Sequence, residues 1–293
     1  MFSRVTSLAL WLLCLIVLTG ALVRLTGSGL GCSDWPRCNA QKFVDVSSGH
    51  AAIEQLNRLF TGLVSASVVA AVLTAHLRAP RRRDLLLLAW ALVAGVVAQV
   101  VIGGIVVLTG LNPWANMAHF LVSMVLVGSA YALDRLSRVE NVASLLRPVP
   151  PELMASRWML VGAAITAVTT GTVVTATGPH AGDENAVRFG FALETVARVH
   201  GVSVMTTVAL IVLCMWRVRA ATSPRARSAR EALSVLAFVA VLQAGVGYTQ
   251  YFTGVPVVLV TVHIVGATAF WLAVCNFLMS PRPDEVLPVT PAA

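Results

Sequence analysis

Residues 85–108 read LLLLAWALVAGVVAQVVIGGIVVL, a run without a single charge in which Gln99 is the one strongly polar side chain. A bilayer core needs about 20 mostly apolar residues per helix, so this stretch predicts a transmembrane helix. Working outward from it, the same ruler finds spans at 5–24, 51–77, 114–134, 158–178, 191–216, 231–252 and 257–279. Of the 293 residues, 57% are hydrophobic and 12% charged, with a mean hydropathy of +0.82. Soluble domains carry about a quarter of their residues as charges, so an ordinary cytosolic enzyme is excluded. Five cysteines are too sparse for a disulfide-dense secreted domain. The first span follows Arg4, yet its apolar run outlasts a signal sequence and lacks a clean small-x-small site, so an uncleaved helix is expected.

The net charge of +8 could suggest nucleic acid. The basic residues instead cluster between apolar runs, which points to the anionic cytoplasmic face of a membrane and to no nucleic-acid partner. Arg4, Arg78, Arg81, Arg82, Arg83, Arg135, Arg138, Arg147, Arg157, Arg217, Arg219, Arg225, Arg227, Arg230 and Arg282 fall on one side, fifteen of the 21 basic residues. Arg24, Arg37, Lys42 and Arg188 fall on the other. Both termini are therefore expected in the cytoplasm of a multi-pass plasma-membrane protein.

The chain also repeats itself. Leu18–Gly27 (LTGALVRLTG) resembles Thr169–Gly178 (TTGTVVTATG) at an offset of 151, while Gln99 and His119 match Gln243 and His263 at 144. Gly103-Gly104 and Leu108-Thr-Gly110 echo Gly245, Gly247 and Phe252-Thr-Gly254, and Asn57 matches His200 at 143. The expected fold is all-α, with eight transmembrane helices arranged as two pseudo-symmetric four-helix bundles. Its parts are an N-terminal half (1–140), a cytoplasmic linker (141–157), a C-terminal half (158–280) and a cytoplasmic tail (281–293). An even number of spans per half makes the repeat parallel rather than inverted.

Ionisable groups inside spans are costly, so each is a functional candidate. His76 reads as interfacial and His50 and His180 as loop residues near the mouth. His119, His200 and His263 lie within spans; each is either an interhelical hydrogen-bonding residue or an iron ligand. The repeat favours ligation, with His200 and His263 as the axial pair of a haem in a four-helix bundle. Zinc would want cysteine or carboxylate company, and only Glu194 is near. In the first half Asn57 replaces the histidine, leaving His119 with an open face. Glu54 stands one turn before Asn57, either as a buried proton-handling acid or as the self-neutralising partner of Arg58 at i,i+4. Glu194 and Arg198 repeat that spacing. Cys32 and Cys38 lie on the oxidising side, where a disulfide is plausible; Cys14, Cys214 and Cys275 read as small apolar residues.

The stretch T-G-x-x-V-R-L-T-G-S-G-L-x-C-x-x-W-P-x-C from Thr19 to Cys38, Glu54 with Arg58, the Gln99/Gly103-Gly104 helix, His119 and His263-x-x-Gly266-Ala267 together resemble the haem A synthase family. The resemblance covers all eight spans. It implies oxidation of a methyl group of haem O to the formyl group of haem A by two successive hydroxylations, for cytochrome oxidase assembly. It further implies haem b as cofactor on His200 and His263, the substrate haem near His119, Asn57 and Arg58, and Glu54 as the catalytic group. Arg198 and Arg24 are the candidate propionate or supporting residues. Haem O synthase, cytochrome oxidase assembly factors and an unidentified electron partner are the implied partners; oligomeric state is left open. The family's Glu-x-x-His-Arg reads Glu54-Gln55-Leu56-Asn57-Arg58 here, and its second-half His-Arg reads His200-Gly201, so the chain is a variant branch in which the substrate iron has at most one histidine. A membrane cytochrome b without haem O turnover, or a small-solute transporter, are the competing readings.

Overall fold

The computed structural model describes residues 1–139 and 146–279; the predicted tail 281–293, with Arg282, and the start of the predicted linker lie outside the described residues. The helices are α1 (Phe2–Leu25), α2 (Gly49–Leu77), α3 (Arg83–Leu108), α4 (Pro113–Ser137), α5 (Met154–Thr177), α6 (Leu193–Val218), α7 (Pro224–Phe252) and α8 (Val257–Leu278), with a 3-10 turn at Pro151–Leu153. All eight are long and apolar enough to cross a membrane, α3 being the most apolar and α4 the least. Large side chains such as Trp11, Leu63, Leu87, Val202 and Phe238 point outward, as a lipid-facing surface requires. This is a multi-pass membrane protein.

Local chemistry sets the helix ends. Ser48, Asn112 and Ser223 accept hydrogen bonds from the first free amides of α2, α4 and α7, and Pro113 and Pro224 occupy first-turn positions where no amide is needed. The Ser223–Pro224 start places α7 seven residues earlier than the hydropathy ruler put it, because polar arginines there continue the helix. Likewise α5 begins at Met154, inside the stretch 141–157 expected as linker. At the opposite ends of α3 and α7 the two Thr-Gly pairs make the same turn: Gly110 and Gly254 take positive φ (62° and 80°), followed by left-handed Leu111 and Val255.

The arginine-rich end is tied by more than charge. Arg230 donates to the carbonyls of Val218 (2.8 Å) and Ala221 (2.6 Å), Arg78 to Ser137 O (3.2 Å), Arg82 to Leu136 O (3.2 Å), and Arg147 to Asn276 O (2.8 Å). These guanidiniums satisfy carbonyls at the C-terminal ends of α6, α4 and α8 that have no intrahelical partner.

Helices α1–α4 form one bundle and α5–α8 the other, each around its own apolar core. Between the bundles α1 packs on α8, α4 on α5, and α4 on α8, the pairing a pseudo-twofold demands. Gly128 lets α8 close on α4, where Trp271 Nε1 donates to Met124 O at 2.7 Å and Tyr131 OH to Asn276 Oδ1 at 2.9 Å.

Candidate functional site

In the C-terminal bundle, α6 and α8 bring His200 and His263 together edge-on, ring centroids 6.5 Å apart and planes crossed at 86°. With metal–imidazole bonds of about 2 Å, two rings flanking one metal have centroids roughly 6 Å apart, so the spacing fits one iron between them. Glycines on the neighbouring helices make the room: a Cβ at Gly171 would lie 3.1 Å from His200 Cε1, and one at Gly247 would lie 3.0 Å from His263 Cε1. Thr170 Oγ1 and His200 Nδ1 are 3.1 Å apart, and Thr170 also meets Ser203 Oγ at 2.9 Å. His263 Nδ1 is buried and unpartnered, while Gln243 Nε2 donates to His263 O at 2.7 Å. Glu194 and Arg198 form a loose pair at 3.6 Å, with side chains 73% and 80% exposed.

The N-terminal bundle repeats this frame with different chemistry. Thr19, the equivalent of Thr170, donates to Asn57 Oδ1 at 2.8 Å, so the hydrogen bond survives the loss of the imidazole. Gly20, the equivalent of Gly171, has nothing within 4 Å of where its Cβ would stand. His119 lies against Gly103, where a Cβ would stand 3.5 Å from His119 Cε1, and its Nδ1 is buried and unpartnered. Gln99 Nε2 donates to His119 O at 2.9 Å and also reaches Ser123 Oγ, and Gln99 Oε1 is buried without a partner.

Glu54 is 6% exposed and fully engaged. Its Oε1 accepts from Arg58 Nη2 (2.6 Å) and Nε (3.1 Å), and its Oε2 from the Cys32 amide (2.7 Å). The i,i+4 ion pair left open by the sequence therefore forms, and it is shared with the loop. Arg58 also donates to the carbonyls of Asp34 (3.1 Å) and Arg37 (3.0 Å). Cys32 and Cys38 are joined by a disulfide and both are completely buried. Between them Trp35 packs on Gly104 of α3, where any Cβ would collide with the indole. The loop thus straps α2 to α3. Further along it, the Ser47 hydroxyl and amide, with Lys42 and Asn39, hold the Asp45 carboxyl well below the usual carboxylate range.

Arg24 faces the other bundle: it donates to Thr175 O and His180 O, both at 2.6 Å. His180 in turn bonds Val255 O through Nε2 (2.8 Å), His50 bonds Ser28 Oγ (2.9 Å), and His76 is exposed at the arginine-rich end. Of the predicted site residues, the structure joins Glu54, Arg58 and Cys32–Cys38, pairs His200 with His263, and sets Arg24 at the seam between halves.

A family model described as COX15-CtaA, cytochrome oxidase assembly protein, matches residues 3–275. The chain belongs to this family. Among curated relatives, it is 35% identical over 112 residues to the Heme A synthase of Lysinibacillus sphaericus, covering 38% of this chain and 36% of that one. It is 34% identical over 121 residues to the Heme A synthase of Listeria welshimeri (40% and 39%), and 34% over 122 residues to that of Geobacillus thermodenitrificans (41% and 38%). Each alignment thus spans well under half of the relative's length.

For a COX15-CtaA member the donor set fits a haem better than a bare ion. Among the described residues, no group of three or more His, Cys, Asp or Glu converges as a metal cage needs, whereas two imidazoles 6.5 Å apart are a donor set of the kind a haem iron takes. Sequence reasoning missed the Thr19–Asn57 bond, the Trp35–Gly104 strap and the Arg24 tie. The 151-residue offset that aligns Thr19 with Thr170 carried the signal for the first; the other two had none.

Proposed function

We propose that the chain is an oxidoreductase of the haem A synthase type, oxidising a methyl group of haem O to the formyl group of haem A for cytochrome oxidase assembly. Two successive hydroxylations take the methyl to a gem-diol, which loses water. The observation that carries the reading is the contrast between the halves: His200 and His263 edge-on to each other in one, and in the other Thr19-bound Asn57 in place of the α2 imidazole, one turn from the Arg58-bound Glu54.

His200 and His263 would hold the resident haem b, which supplies one-electron transfer when bound. His119 would hold the substrate haem from one side only. Asn57, kept in place by Thr19, leaves the other side clear for reaction. Glu54 is the group proposed to move protons near the substrate methyl; Arg58 and the Cys32 amide fix where its oxygens stand. The fourteen described residues of that basic set, gathered at one end, support cytoplasmic termini, with the Cys32–Cys38 loop on the oxidising side of the plasma membrane. Haem O synthase, assembly factors and an electron partner of the same membrane follow from the reaction.

Co-expression with a source of haem O, followed by pigment extraction, tests this. Haem A appearing only with the chain is the expected result. A chain that carries haem b yet leaves haem O unchanged would instead be a cytochrome b electron carrier.

A further inference from the structure

The four positions that face the bundle interiors are each met by a side chain from the preceding helix of the same hairpin. Thr19 of α1 serves Asn57 of α2, and Thr170 of α5 serves His200 of α6, each through a direct side-chain bond. Gln99 of α3 serves His119 of α4, and Gln243 of α7 serves His263 of α8, each through the histidine's main-chain carbonyl. The pattern is incomplete only for the glutamines. His119 Nδ1 and His263 Nδ1 are both buried without a partner, and so is Gln99 Oε1, an acceptor on the side chain that already holds His119. Gly266 leaves the space that the Gln243 carboxamide fills, since a Cβ there would overlap its oxygen.

An imidazole that gives Nε2 to a metal carries its proton on Nδ1, and that N–H is normally held by an acceptor that fixes the ring and raises its basicity. We propose that Gln99 and Gln243 are positioning residues for the α4 and α8 histidines. The carboxamide NH2 anchors the histidine's carbonyl, and the carboxamide oxygen receives Nδ1–H when Nε2 turns to the haem iron. One side chain thereby sets both the height of the histidine and the tautomer of its ring. The assignment rests on the haem reading of the site. It leaves buried polar groups satisfied in the loaded protein, where an orphaned donor and acceptor would otherwise cost stability.

The test uses the full-length protein with its haem b. Wild type, Gln243→Leu and Gln243→Glu are compared by haem b content, ferric electron-spin resonance and midpoint potential. Loss of a ligand-orienting partner typically weakens metal binding about 10- to 100-fold, so Gln243→Leu is expected to retain haem at least tenfold more weakly and to shift its potential upward. In Gln243→Glu the buried carboxyl stays protonated and keeps both an acceptor oxygen and an O–H donor for the His263 carbonyl, so retention recovers and the potential lies at or below wild type. A glutamine that only glued α7 to α8 would leave the potential of the Leu variant unmoved; that result, or a Glu variant that behaves like Leu, overturns the proposal. Should the Leu variant fail to accumulate, the potential of the Glu variant decides, with a rise above wild type as the refuting outcome. A wild-type chain that binds no haem removes the haem reading and this assignment together. A haem-loaded wild type with unmoved variants removes the assignment alone.

Discussion

Asn57→His would give the N-terminal bundle the imidazole its twin already has, and the structure has kept the seat ready. Thr19 stands where Thr170 stands, at 2.8 Å from Asn57 as Thr170 is at 3.1 Å from His200, so an imidazole would inherit the hydrogen bond. Gly20 has nothing within 4 Å of its missing Cβ, whereas His200 already fills the equivalent space beside Gly171 at 3.1 Å. Retaining a hydrogen bond worth about 1 kcal/mol keeps the folding change small. A second axial ligand that contributes even 1.5–3 kcal/mol, the scale of a charge-assisted hydrogen bond, raises haem retention roughly 10- to 100-fold. Purified Asn57→His should therefore carry close to two low-spin haems per chain instead of one. The haem-to-protein ratio and the low-spin spectrum read the outcome. Adding Gly20→Ala supplies a control, because its Cβ would crowd the new ring as a Cβ at Gly171 would crowd His200, and the second haem should be lost. A folded Asn57→His protein with wild-type haem content and spectrum would refute the reasoning, and so would a double variant as fully loaded as the single one.

Glu54→Gln keeps an acceptor for the Cys32 amide but not the charge, so haem b content should hold while haem A formation fails; Glu54→Ala should also loosen the loop by about 1–3 kcal/mol, seen as faster protease cleavage between Cys32 and Gly49. Gly247→Ala gains up to about 1 kcal/mol of helix preference yet pushes on His263, so low-spin haem b should fall while Gly20→Ala alone leaves the spectrum unchanged. Arg24→Met removes two bonds between the halves and should lower stability by roughly 2 kcal/mol in thermal unfolding with the haem b spectrum intact. Weakened haem binding at unchanged stability would instead mark Arg24 as a propionate partner.

Hydrophobic length made all eight helices legible, because the bilayer demands it of any span. It failed where polar helix continues past the membrane: the arginines of 224–230 raise no hydropathy, and only the Ser223 cap marks where α7 begins. The repeat offsets, 151 early and 143 to 144 later, made the correspondence of Asn57 with His200 legible, and the i,i+4 spacing offered the Glu54–Arg58 pair as one of two readings. The same spacing in Glu194 and Arg198 yields only an exposed, loose pair. In sequence Arg24 is legible only as a candidate propionate or supporting residue; its actual partners lie 151 and 156 residues away, a distance no local pattern spans. The unpartnered imidazole nitrogens, likewise, are a property of packing rather than of any motif.

The seam at Arg24 bears on how the protein is made. Its acceptors, Thr175 O and His180 O, and the Gly182 carbonyl that receives the Gly29 amide, all belong to the segment around and after the fifth helix. During synthesis the first bundle emerges and can pack alone, since domains fold as they leave the ribosome. Although Ser28 is already held by Val23 O and His50, the Gly29 amide and Arg24 find their carbonyl partners only once α5 and the segment after it are in place. The side proposed to receive substrate is thereby finished by the arrival of the other half, so a chain stalled after four helices would hold a bundle without a settled mouth. The order of translation becomes a checkpoint on when the substrate side is complete.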